Sequence, residues 1–223
     1  LSDADCYAGE LWIESMLNEA LINKSDLVIG PVCVEENLDL FSKIQSLEFI
    51  ALNGFSLYAA NCSVPILCNG ANLLFKKNSF PIEDDFLNDP LVSGDDVFLL
   101  HYAKKKSLKI SVCKTNQSLV KTLACKTFKE FLNQRVRWAG KSSKYKDKDT
   151  ILLSLLIYST NFFLLISLLS LIFLCDCFFL IISLFLLKFV VDVLFLKKLL
   201  PFYSKQYLLK FSLILALIYP VYI

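Results

Sequence analysis

The stretch ILLSLLIYSTNFFLLISLLSLIFL (Ile151–Leu174) runs for 24 residues without a charged side chain. A helix crosses a bilayer with roughly 20 apolar residues, so this run is long enough to span and too apolar for a globular core helix. After CDC (Cys175–Cys177) comes a second run, Phe178–Leu196, whose only charges are Lys188 and Asp192. Those two stand four apart on one helical face and can pair there. Tyr207–Ile223 is a third candidate of marginal length. Before Thr150 the composition is that of a mixed globular protein. The chain is therefore expected to carry an α/β domain over 1–149 and a membrane domain over 150–223, with spans near 151–174, 178–196 and 207–223. The whole 223-residue chain is 56% hydrophobic, with mean hydropathy +0.56.

The placement of lysines sets an orientation. Lys141, Lys144, Lys146 and Lys148 precede the first apolar run, and Lys197, Lys198 and Lys205 follow the second. The turn between the two runs has no Lys or Arg. Cytoplasmic flanks carry the excess of basic residues, so an integral membrane protein with a cytosolic α/β domain is expected. Charge is also segregated within that domain. Residues 1–100 hold 16 acids against 4 lysines, while residues 101–149 hold 14 basic residues against 3 acids. Such a split suits a bound cation in the first half and phosphates or anionic lipid facing the second, or a solvated surface that happens to segregate.

The eight cysteines form no C-x-x-C pair, and the chain has a single histidine, His101. A zinc site is not expected; the cysteines read as reduced, small apolar residues, and His101 as a helix-surface residue. Apolar spacing predicts helices over Ala8–Asn23 and Leu38–Ala60, the second broken or bent near Asn53-Gly54. Leu27–Val34 reads as one strand. VPILCNGANLLFKK reads as strand, Asn-Gly turn, strand. SGDDVFLLHYAKKK reads as a loop feeding a helix capped by Ser93, and LKISVC as a strand. Thr127 and Glu130 form a capping box that opens a helix through TFKEFLNQRVRWAG. Alternation of this kind predicts an α/β fold.

Three short motifs carry chemistry. In DADC, Asp3 and Asp5 stand at i and i+2 on a turn, where two carboxylates can grip a divalent cation. In SGDD, Asp95 and Asp96 open a helix. A carboxylate there can serve as a general base, or can simply stabilise the helix dipole. In QRVRW, Gln134, Arg137 and Trp138 share one helical face. That face offers an amide, a guanidinium for phosphate and an aromatic plane for a sugar or base; it could equally anchor the helix at a membrane interface.

Taken in order, the motifs resemble those of membrane-bound family 2 glycosyltransferases, the group of cellulose synthases, hyaluronan synthases and ceramide glucosyltransferases. Those enzymes carry D-x-D, then an acid pair of the T-E-D type, then Q-x-x-R-W, followed by membrane helices. IGPV, QSLEF and NGANLLFKKNSF fit the same pattern, and the resemblance covers nearly all of residues 1–145. It implies a partial GT-A-type, Rossmann-like catalytic domain followed by transmembrane helices. It also implies inverting transfer of a sugar from a nucleotide-diphosphate donor, such as a UDP-sugar, to a lipid or polysaccharide hydroxyl, with no nucleic acid as partner.

Carried over by position, Asp3 and Asp5 would hold Mg²⁺ or Mn²⁺, with Asp3 also at the donor diphosphate. Asp96 would be the base, with Asp95 beside it. Gln134, Arg137 and Trp138 would close over the diphosphate and shape the acceptor site. Two departures stand out: Ser-Gly opens the acid motif in place of Thr, and Cys6 follows D-x-D where some relatives have His. In such enzymes the D-x-D closes a nucleotide-binding half. That half would precede residue 1, so the chain is expected to be a C-terminal fragment, inactive alone. Two other readings are an inactive membrane relative and another metal-dependent nucleotidyl or phosphoryl transferase.

Overall fold

The computed structural model describes residues 1–80, 95–142, 144–170 and 178–223. Ser93, the side chain of Asp95 and the CDC turn lie outside the described residues. The elements in chain order are β1 (Tyr7–Ala8), α1 (Trp12–Asn23), β2 (Leu27–Ile29), β3 (Val32–Glu35), α2 (Leu40–Asn61) and β4 (Leu73–Phe75). There follow α3 (Asp95–Lys105), β5 (Ile110–Val112), β6 (Val120–Leu123), α4 (Phe128–Ser142), α5 (Lys148–Ser170), α6 (Phe178–Leu199) and α7 (Ser212–Tyr222).

The stretch read as one strand, Leu27–Val34, is two. Pro31 has no N–H to give to a ladder, and the chain changes sheet at Gly30-Pro31. β2 lies between antiparallel β4 and parallel β5, whereas β3 runs parallel to β6, whose other edge takes β1 antiparallel. The neighbouring path breaks at the same level, over residues 113–119. Cys113 N–H to Ile29 O (2.9 Å) and Val120 N–H to Pro31 O (3.1 Å) keep the two paths in register across the break. The result is two three-stranded sheets with a seam between them.

Asn72 fills that seam and is fully buried. Its Nδ2 donates to Pro31 O (2.8 Å) and Ser118 O (2.7 Å), and its Oδ1 accepts the Trp12 indole N–H (2.9 Å). A Cβ at residue 30 would stand 2.2–2.5 Å from the Asn72 side chain, so the close approach requires glycine there.

Two sequence expectations fail nearby. VPILC forms no strand: Ile66 is buried, and its carbonyl accepts the Thr150 hydroxyl at 2.8 Å, so this backbone serves the start of α5 rather than a ladder. α2 also runs unbroken through Asn53-Gly54. Its start is capped by Asp39, whose carboxylate accepts the Ser42 N–H at 2.8 Å. The Asn-Gly pair serves packing. Asn53 Oδ1 accepts the Val32 N–H (3.0 Å) and the Tyr203 hydroxyl (3.2 Å). At Gly54 a Cβ would fall 2.6 Å from Leu199, so the missing side chain admits the end of α6.

α5 and α6, of 23 and 22 residues, are long and apolar enough to cross a membrane. Most of their large side chains face outward, among them Phe163 (66% exposed) and Phe179 (84%). The foreseen pair forms in α6, with Lys188 Nζ 2.5 Å from the Asp192 carboxylate. The third candidate span is different: Gln206–Phe211 is a 3-10 segment, and α7 has eleven residues. At 1.5 Å per residue, these eleven residues rise about 16 Å.

The membrane-side elements share a core with the α/β part. Leu196, Leu200, Tyr203, Leu208 and Leu215 pack with Cys33, Leu47 and Ile50. The start of α5 is tied separately to α3. Lys104 bridges Asp147 (2.7 Å) and Asp149 (2.9 Å), and His101 Nε2 lies 3.2 Å from the Thr150 hydroxyl.

Candidate functional site

The D-x-D turn straddles the seam between the two sheets. Leu1 exchanges backbone hydrogen bonds with Leu73 on the β4 edge (2.6 and 3.3 Å), while Tyr7 and Ala8 pair with β6. Between these anchors the chain must turn, and the Cys6 N–H donates to Asp3 O at 3.1 Å. Ligand atoms of Asp3, Asp5 and Cys6 gather within 4.8 Å of one another. Both carboxylates are exposed and Cys6 is half-buried.

Asp96 comes to the same place from α3. Its Oδ2 accepts the Gly70 N–H and its Oδ1 the Val97 N–H, both at 2.9 Å. The Cys68 thiol donates to its carbonyl at 3.1 Å. Gly70 belongs to the 3-10 turn Gly70–Asn72, so the turn that buries Asn72 in the seam also fixes the head of α3. Each Asp96 carboxylate oxygen keeps a further lone pair.

α4 brings the third motif. Its capping box forms as foreseen: the Glu130 N–H donates to Thr127 Oγ1 (3.2 Å), and the Glu130 carboxylate accepts the Thr127 N–H (3.4 Å). Trp138 and Cys6 pack against one cluster of Val32, Val34, Phe49, Ala71 and Val120. Gln134 is half-buried and Arg137 is exposed.

The charges of the three motifs meet at Asp3. Although Asp3 is exposed, partial desolvation on its protein-facing side pushes its carboxyl above the usual carboxylate range. The negative charges of Asp5 and Asp96 push it further, and Arg137 and Lys141 pull it back. Residues far apart in sequence thus act on one carboxylate, which an isolated acidic turn would not show. The Cys6 thiol is raised as well, mainly by burial, with the charges of Asp5 and Asp3 adding to it.

Two neighbours were not singled out in the sequence. Arg135, within QRVRW, pairs with buried Glu48 of α2 at 2.5 Å. A lone Glu in the apolar run of α2, opposite an Arg-bearing helix, was the available signal. Tyr145 packs edge-on to Phe98 and His101, and its phenol is pushed up to about 12, first by burial and then by the negative charge of Asp96. No local pattern marks it, because its partners lie on α3. His101 is half-buried between α3 and α5 rather than on an open helix face, and burial lowers its pKa.

Two cavities, of about 840 and 310 Å³, lie elsewhere. The larger is lined by Glu36–Asp39, Lys43, Tyr207, Lys210 and Phe211, the smaller by Cys33, Lys121 and Tyr203–Lys205 among others. Neither is lined by Asp3, Asp96 or Arg137. Compared with known protein families the chain matches none, and against characterised proteins it gives no significant match.

Proposed function

We propose that this chain belongs to a membrane-bound inverting glycosyltransferase whose catalytic part has a GT-A-type fold and faces the cytosol. The observation that carries the reading is the convergence of Asp3, Asp5, Asp96, Arg137 and Lys141 on one surface, beside the ring of Trp138. The mixed α/β body, continued by two helices able to cross a membrane, supports the same reading. So does the order of the three motifs.

The donor set suits a hard divalent cation, Mg²⁺ or Mn²⁺. Asp3 and Asp5 supply carboxylate oxygens, and their mutual repulsion with Asp96 would be relieved by positive charge. When bound, such an ion supplies charge neutralisation for a leaving diphosphate. Arg137 adds a second, permanent positive charge on the same side. Asp96, anchored by the Gly70 and Val97 amides, takes the proton of the acceptor hydroxyl. The acceptor oxygen bonds to the anomeric carbon as the bond from that carbon to the diphosphate oxygen breaks, inverting the centre. The acceptor is a lipid or glycan hydroxyl, delivered near the bilayer that α5 and α6 would enter.

The test is a panel of nucleotide-diphosphate sugars offered to the full-length protein in membranes, with products identified by mass spectrometry. Mg²⁺- or Mn²⁺-dependent appearance of a glycosylated lipid or glycan is expected. Transfer of phosphate or of a nucleotide instead would replace the reading with phosphoryl or nucleotidyl transfer.

A further inference from the structure

Glu48 sits in the middle of α2 and is 2% exposed. Its Oε2 accepts the Arg135 Nη2–H of α4 at 2.5 Å. Arg135 then makes three contacts along its own helix. Its guanidinium lies 4.5 Å from the centre of the Phe131 ring and 4.3 Å from that of Trp138. Its Nη1 donates to Gln134 Oε1 at 3.3 Å. Phe131 and Trp138 are placed at i−4 and i+3 from Arg135, so all three share one helical face. Trp138 meets α2 a second time, with its ring 6.3 Å from that of Phe49. Arg135 therefore touches two of the side chains that the site takes from α4, Gln134 and Trp138.

A buried ion pair is a poor device for stability alone, because desolvation offsets most of the attraction. Arg135 also leaves its Nε buried without a hydrogen-bond partner among the described residues, a further cost. What the pair does supply is direction. A planar guanidinium held at one edge by Glu48 and stacked on Trp138 fixes how far α4 is rolled on α2. Apolar contacts at Phe41, Phe128 and Phe131 are non-directional and fix it less.

We infer that Arg135, locked by Glu48, is the positioning residue that holds Trp138 and Gln134 in place at the candidate site. Its effect on rate rests on the glycosyl-transfer reading; its effect on Trp138 does not. Trp138 is one of two tryptophans in these 223 residues, and subtraction of a Trp138→Phe blank isolates its fluorescence.

The experiment uses the full-length protein in membranes and the double variant Glu48→Leu/Arg135→Met, which removes both charges and leaves neither stranded. Acrylamide quenching of Trp138 is expected to rise about 2-fold once the cation stack is gone. Turnover should fall by about 10²-fold, as for a misplaced catalytic surface, with little change in donor KM. Arg135→Lys keeps the charge pair but not the planar stack, and carries the test if the double variant does not fold. It should show the same rise in quenching. Unchanged Trp138 quenching in a folded variant would overturn the inference. If the parent protein transfers no sugar, the functional reading falls by itself, and the quenching still decides whether Arg135 places Trp138.

Discussion

Asp96 accepts the backbone N–H of Gly70 at 2.9 Å, joining the head of α3 to the turn that fills the seam between the sheets. This contact gives Asp96 a structural duty in addition to the chemical one proposed for it. The two separate by substitution. Asp96→Ala removes the acceptor for both the Gly70 and Val97 amides and is expected to cost roughly 1–3 kcal/mol. Asp96→Asn keeps one of the two acceptor oxygens and should cost about half of that. Chemical denaturation of the two variants measures the difference.

Asp3 gives a pH-dependent signature. Its folded pKa is raised by burial and by Asp5 and Asp96, so the folded state holds a proton that the unfolded chain has already released. Stability from this group is full below the ordinary carboxylate pKa and is lost as pH rises through the raised folded value. In metal-free buffer, Asp3→Asn should therefore melt higher than the parent at neutral pH. The gap should close in acid. Adding Mn²⁺ should raise the parent melting temperature and leave the variant unmoved.

The seam predicts a strong steric effect. Gly30→Ala would drive a methyl group into the Asn72 amide, and Asn72→Ala would strand the Trp12 N–H and the Pro31 and Ser118 carbonyls. Each should destabilise by about 2–4 kcal/mol, in the range of a broken buried network. Combining them should cost less than the sum, since both act on one contact. A double-mutant cycle by denaturant unfolding checks this.

The two long apolar helices meet the α/β body at Lys148 and Leu199, their domain-proximal ends. Cysteines placed at Lys146 and Lys197, both exposed, should react with an impermeant thiol reagent from the same side of the membrane. Labelling from opposite sides would contradict the hairpin arrangement.

Much of this molecule was legible locally. The helices α1 and α2 follow from apolar spacing, α3 from the SGDD loop that feeds it, and α4 from the capping box of Thr127 and Glu130. The two long helices follow from length and lack of charge. The strands were harder to read. β6 (VKTL) has four residues and β1 has two, and both exist only because β3 and the D-x-D turn lie beside them. VPILC has strand-like composition, yet the Ile66 carbonyl is taken by Thr150, 84 residues away. Asn53-Gly54 reads locally as a break and is tertiary packing. At the candidate site, Asp3, Asp96 and Arg137 were visible as motifs. Arg135 and Tyr145 were not, because what marks them is a partner on another element.

The central claim is that Asp96 removes the acceptor proton during sugar transfer. Its most direct test is single-turnover transfer from a nucleotide-diphosphate sugar by full-length parent and Asp96→Asn proteins in membranes, with donor binding measured in parallel. The predicted result is a rate lower by about 10²–10⁴-fold, the usual contribution of a positioned base, with donor affinity close to that of the parent. A folded Asp96→Asn protein with near-parent transfer would contradict it.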